Sequence, residues 1–457
     1  MAPMEPWQRV WIDATAYASD VHSYINCTDC HGGHAVNDMD AAHSGMNPAP
    51  ASDPETCGSC HRDVGPAVMG SLHMTLAGYD QVLHARSIPE HHETLEEMQE
   101  YHCNDCHATC GDCHVSQPAS VGGGLLKGHT FVPTPPMSQT CTACHGSRVK
   151  NEYYGLNEGI PSDVHFRSRM ACTDCHTANQ IHGMGAPSVT TNEAGEVAYM
   201  HRYDGAQEPA CEDCHQEQVG IGSGIEMHEV HGTEILSCQA CHSTTYTNCV
   251  NCHVEQTDDG QPFYRVEDHF LGFYLAKNVE RTQQRPYRFV PVRHVPIDKD
   301  SFSFYGEDLL PNFDALPTWA YATPHNIQLN TPQTASCEAC HGNDDIFLTP
   351  DKIAPEMLAA NARILVDKAP PLPASYVPPA AEEPAETETG TGGGDDFWGG
   401  GDESDDSDSG GDDSFWGDEP AGEPAAPPDA GGDDDFWGGE STNETQTETS
   451  ADDFWGN

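Results

Sequence analysis

Residues 102 to 114 read His102-Cys103-Asn104-Asp105-Cys106-His107-Ala108-Thr109-Cys110-Gly111-Asp112-Cys113-His114. Two Cys-x-x-Cys-His units stand there almost back to back, with a further histidine in front. On a helix, positions i, i+3 and i+4 share a face, so Cys103, Cys106 and His107 reach toward one side. The second unit begins seven residues later, and on a continuing helix it returns to nearly the same face about 10.5 Å along the axis. Gly111 weakens such a continuation and predicts a kink. Groups bound by the two units are expected to be close neighbours.

The same unit accounts for every cysteine in the chain. The 20 cysteines fall into ten units with none left over. They are Cys27, Cys30 and His31; Cys57, Cys60 and His61; Cys103, Cys106 and His107; Cys110, Cys113 and His114; Cys141, Cys144 and His145. The second five are Cys172, Cys175 and His176; Cys211, Cys214 and His215; Cys238, Cys241 and His242; Cys249, Cys252 and His253; Cys337, Cys340 and His341. A disulfide scaffold has no use for a histidine after every second cysteine, and neither does a zinc ribbon. The pattern is the attachment signature of haem c, in which two thiols add to the vinyl groups of one porphyrin and the imidazole takes the iron. Ten such haems are expected, with the ten motif histidines as proximal ligands.

Of 27 histidines, ten lie inside the motifs and 17 remain for ten sixth-coordination positions. The candidates for distal ligands, in chain order, are His22, His43, His73, His91, His102, His129, His165, His182, His201, His228, His231, His294 and His325. The thirteen methionines are a weaker source, because histidine is so plentiful. Residues 89 to 102 predict a helix: Pro89 suits a first turn, glutamates follow, and His91, Leu95, Met98 and His102 form one stripe. Two histidines on that stripe are read as ligands beside the doublet. Elsewhere the motifs sit on short segments, several with a histidine 7 to 10 residues ahead.

Only 37% of the 457 residues are hydrophobic, so an ordinary apolar core would be thin. The formal net charge is −54, and after Lys368 there are 25 acidic residues and no basic one. This balance argues against nucleic acid and anionic membranes as partners and favours redox proteins with basic docking surfaces. No apolar run is long enough to span a membrane. No signal peptide is visible at Met1. Haem attachment requires export, so a periplasmic or extracellular, cell-surface location is expected, with the targeting segment already removed or the start misassigned.

Four sections are expected: a nine-haem part at 1–253, a haem-poor insertion at 254–336, the tenth haem with a closing helix at 337–368, and a disordered acidic tail at 369–457. The insertion is rich in aromatics and holds Arg265, Arg281, Arg285, Arg288 and Arg293. It reads as a small β-rich insertion that gives packing support and supplies His294 and His325, with a substrate-binding flap as the alternative. The tail repeats Phe-Trp-Gly around Trp398, Trp416, Trp437 and Trp455. Four weak motifs in one chain suggest tail-mediated docking to a partner through avidity.

On its ten motifs, across roughly residues 20 to 345, the sequence resembles the multihaem c-type cytochromes of prokaryotic respiratory electron transfer. The resemblance implies a mostly irregular chain with short α-helices wrapped round haems that replace the apolar core. It implies mainly bis-histidine, low-potential haems acting as a molecular wire or shuttle in anaerobic or extracellular respiration. Two alternatives stand beside this carrier: a multihaem oxidoreductase of a small nitrogen or sulfur oxyanion, and a subunit of a cytochrome filament. The enzyme would need one haem with an open position. All ten motifs end in histidine, so the lysine variant of nitrite reductases is absent.

Overall fold

The computed structural model describes residues 5–377 except 76, 104–106, 186–188, 192–196, 200–207 and 267–269. The described residues belong to one compact unit. The tail with its four Phe-Trp-Gly repeats lies outside the described residues, as does His201.

Most regular elements are helical turns of three to five residues separated by glycine- and proline-rich loops. The longest helix is His92–His102, entered through a 3₁₀ turn at Pro89–His91. Leu95 and Met98 are fully buried on it and His102 nearly so. The doublet, by contrast, is not one helix. The first helix ends at His102, and Thr109 in extended backbone caps a new one at Cys110–His114. Thr109 and Asp112 exchange hydrogen bonds across that start, so a capping box interrupts the two-turn register expected from spacing.

The section from 254 onward carries the sheet and most of the apolar core. Strands Tyr274–Lys277, Phe289–His294 and Trp319–Tyr321 form an antiparallel sheet, with Val292 opposite both Tyr274 and Tyr321. Phe289–His294 is buried along nearly its whole length, as a central strand covered on both faces must be. Pro291 is tolerated there because the side on which it lacks an N–H faces Ala322, just beyond the end of the strand Trp319–Tyr321, where Ala322 N donates to Pro291 O. Strands Cys252–Gln256 and Pro262–Val266 make a separate hairpin. Val290, Val292, Trp319, Tyr321, Leu348 and Ile364 pack into one cluster. Leu83, Leu95, Met98, Leu309 and Leu310 pack into another.

The distribution of this core is uneven. Among the described residues no hydrophobic side chain before Ala77 is buried, and none is between Val132 and Ala240. The segments that hold most of the motifs therefore have almost no apolar core of their own. The closing segment also differs from a single helix over 355–366: a 3₁₀ turn at Pro355–Met357 precedes the short helix Leu358–Asn361. The folded unit runs past residue 368, since Ala369 is buried and Pro370 O accepts Gly342 N.

Candidate functional site: paired imidazoles at the motifs

Eight of the motifs fold in the same way. Those starting at Cys27, Cys110 and Cys238 are helical through their histidine. In those starting at Cys57, Cys141, Cys172, Cys211 and Cys337, the histidine N–H donates to the carbonyl of the first cysteine at 2.8–3.0 Å. Either way, both thiols and the imidazole share one face. Where the third position is aspartate, its carboxylate accepts the N–H of the residue before the motif: Asp29 from Asn26, Asp112 from Thr109, Asp174 from Ala171 and Asp213 from Ala210. The sequence carries this signal openly as Cys-x-Asp-Cys-His.

The motif at Cys249 departs from that geometry. Asn248–Cys249 and Cys252–Gln256 are strands, and Asn251 between them has φ +62°. Burial of Val250 and Val254 and pairing of Cys252 with Val266 draw this stretch into the sheet region instead of a turn. The motif at Cys103 is interrupted by residues outside the description, Cys106 among them.

The same eight motif histidines each face a second imidazole from elsewhere in the chain. Ring centres are 5.9 Å apart for His31 and His129, and 6.2 Å for His61 and His22. They are 6.2 Å for His114 and His182, 6.3 Å for His145 and His73, and 6.4 Å for His176 and His325. His215 with His165 and His242 with His228 stand at 6.1 Å, and His341 with His231 at 6.3 Å. An imidazole nitrogen binds a transition-metal ion at about 2.0 Å, which puts two ring centres on opposite sides of one ion about 6.3 Å apart. The face-to-face stack of His84 and His92 is of another kind, with ring centres 3.9 Å apart and planes parallel within 8°.

Each of the eight pairs also has at least one ring fixed through Nδ1. The Nδ1–H donors meet Asn47 O from His31, Val132 O from His114, Ile181 O from His73 and Gln180 Oε1 from His176. Asp20 receives His22 and Asp163 receives His165. His228 and His242 donate to Gln218 O and Gln328 O, and His231 and His341 to Met227 O and Pro371 O. A proton held on Nδ1 leaves Nε2 as the lone-pair nitrogen, the usual outer-shell support of a ligating histidine.

Protonation favours the same use. Burial holds His73, His145 and His182 below the ordinary histidine value, and pushes His325 down to about 4. These rings are neutral at pH 7, as ligation requires. His165 is raised, because its hydrogen bond to Asp163 outweighs burial. Thiols of different motifs also meet: Cys110 is lowered to about 7 by its contact with Cys57, and Cys141 to about 6 by Cys172.

Of the thirteen distal candidates, eight are thus brought opposite a motif histidine. The others are placed differently. His102 is buried with Nε2 2.9 Å from the Tyr305 hydroxyl, and its carbonyl accepts from Tyr264. His91 turns Nδ1 toward Leu309 O at 3.4 Å. His43 is exposed, with Nδ1 donating to Met39 O in its own helix. His294 is buried in a T-shaped contact with Trp319, and its Nδ1 donates to Val295 O.

Three of the five arginines of the 254–336 section are taken up in ion pairs. Arg293 is buried in an ion pair with Glu152, whose carboxylate also accepts from Tyr246 and from His325 N. Arg285 is buried 3.6 Å from Glu208, and Arg265 pairs with Glu255 at 2.8 Å. No helix among the described residues is long and apolar enough to cross a membrane. Compared with protein-family models, curated proteins and solved structures, the chain matches none of them.

For the haem that the motifs imply, the residues fit at eight sites: two thiols and an imidazole on one face, a second imidazole opposite, and a gap sized for an iron between the rings.

Proposed function

We propose that the chain is an extracytoplasmic electron-transfer protein that carries c-type haem at its Cys-x-x-Cys-His motifs. The observation that carries this reading is the set of eight imidazole pairs with centres 5.9–6.4 Å apart. A haem bound at such a pair supplies a reversible one-electron change at its iron. The protein's own part would be to present two imidazoles to each haem, fix their tautomer through Nδ1 and pack the pairs close together. An iron held between the two histidines of such a pair would have no open position for a substrate oxyanion. This favours a carrier over an oxidoreductase. Bis-histidine ligation and nearby carboxylates such as Asp20 and Asp163 favour the oxidised state and hence low potentials. The acidic surface suits basic redox partners, in the periplasm or outside the cell.

The test is electron paramagnetic resonance of the purified holoprotein, with haem counted by pyridine haemochrome and intact mass. The reading expects covalent haem at eight or more motifs and at least eight low-spin ferric centres. Dominant high-spin signals would move the assignment to an enzyme, and absence of covalent haem would end it.

A further inference from the structure

We infer that the eight paired sites follow one another in a single spatial series, from His31/His129 at one end to His231/His341 at the other, and that the two remaining motifs join it at His73/His145. This rests on the electron-transfer reading and assigns the order within it.

The links are short elements that touch two sites at once. Phe131 lies with its ring centre 4.1 Å from that of His22 and 5.6 Å from that of His129, so the His31 and His61 sites adjoin. The next residue, Val132, exchanges hydrogen bonds with His114, donating to its carbonyl and accepting from its Nδ1. The His114 site therefore follows that of His61, and the meeting of the Cys57 and Cys110 thiols agrees.

Three consecutive residues then join three sites. Gln180 accepts from His176, Ile181 O accepts from His73, and His182 itself faces His114. Between His114 and His176 this places the His145 site. The contact of the Cys141 and Cys172 thiols ties the latter two together.

Asp163 carries the series onward. One oxygen takes His165 Nδ1 at 2.9 Å, and the other takes the N–H of Ile327, two residues beyond His325. Gln328 follows directly and exchanges hydrogen bonds with His242. The sites of His176, His215 and His242 thus stand in that order along one strap. Finally, helix Glu226–His231 bears His228 and His231 three residues apart, on one face, facing His242 and His341 respectively.

The two motifs outside the series lean on its middle. Ala108 N, next to His107, donates to His73 O at 3.0 Å. Arg148, three residues past His145, donates to Cys249 O and His294 O. On this order, partners exchange electrons at the two terminal sites, and the His73/His145 site is a junction.

The experiment is a holoprotein structure by cryo-electron microscopy or crystallography, with irons located and their nearest-neighbour sequence read out. The expected result is that the irons of His31 and His341 each have one near neighbour in the series, those of His61 and His242. Irons at all eight sites in another order, or an iron of His107 or His253 lying between two consecutive members, would overturn the order alone. Fewer than eight occupied sites would overturn both the order and the function on which it rests. Either outcome is decided by position rather than by activity.

Discussion

Asp163, only 2% exposed, holds His165 twice: one oxygen accepts both its backbone N–H at 2.7 Å and its Nδ1–H at 2.9 Å. A buried carboxylate on a ligating imidazole raises the basicity of that ligand. This stabilises the more positive, oxidised state of whatever metal centre the ring serves. Asp163→Asn keeps the size and removes the charge, so one component of a spectroelectrochemical titration is expected to rise. A shift of about 60 mV corresponds to a tenfold change in a one-electron equilibrium. Asn also offers no second acceptor for Ile327 N, which adds a stability loss of about 1–3 kcal/mol. An unchanged titration with lowered thermal stability would leave Asp163 a purely structural anchor.

What could be read from the sequence was the local part. The Cys-x-x-Cys-His spacing puts three groups on one turn, and the stripe from His91 to His102 produces the helix that is observed. The partner of each motif histidine was not legible, because it comes from a distant segment: His325 reaches His176, and His22 reaches His61. His102 shows the limit of the helical stripe. Its position beside Leu95 and Met98 places it inside, but only the fold brings Tyr305 to its Nε2. The doublet shows another limit, since a capping threonine at 109 overrides the seven-residue period. The central strand Phe289–His294 was hidden by its proline and its mixed composition.

The pairs make the distal assignment testable one residue at a time. His182→Ala and His228→Ala are each expected to convert one low-spin ferric centre to high spin in the electron paramagnetic resonance spectrum. His43→Ala and His102→Ala are expected to convert none, because their rings face solvent and Tyr305 respectively. His102→Ala should instead lower stability, since it leaves a cavity against Tyr264 and Tyr305.

Removal of haem should unfold the chain unevenly. The 254–369 section owns most of the buried aliphatic and aromatic side chains, whereas no apolar side chain is buried before Ala77 among the described residues. Hydrogen exchange of a haem-free preparation is therefore expected to show full exchange across residues 20–75 and 138–185. Residual protection should be confined to the sheet around Val292 and Tyr321. Uniform protection across both regions would mean that the loops fold without the cofactors.

Glu152 is fully buried and pairs with Arg293, while accepting from Tyr246 and the backbone of His325. Removing one partner of a buried pair leaves the other charge without compensation and costs about 3–5 kcal/mol. Glu152→Ala should show a loss of this size in denaturant unfolding. Glu152→Met combined with Arg293→Met should recover a good part of it, because the double variant leaves neither charge buried. Equal losses in the single and double variants would show that the hydrogen bonds to Tyr246 and His325, not the charge, are what matters.

The place at which the chain is shortened separates the role of the tail from that of the last site. Pro371 O accepts the Nδ1–H of His341, Pro370 O accepts Gly342 N, and Ala369 N donates to Asp344. A chain ending at Lys368 loses all three contacts, so the His341 imidazole loses the acceptor that fixes its tautomer. A chain ending at Val377 keeps them and lacks only the acidic, Phe-Trp-Gly-bearing tail. The shorter chain is expected to alter one low-spin signal in electron paramagnetic resonance, and the longer one to retain the full spectrum. If the repeats dock a partner by avidity, the Val377 variant alone already loses partner capture, and restoring single repeats returns it stepwise. Capture unchanged in the Val377 variant would assign the tail to solvation of the surface rather than to docking.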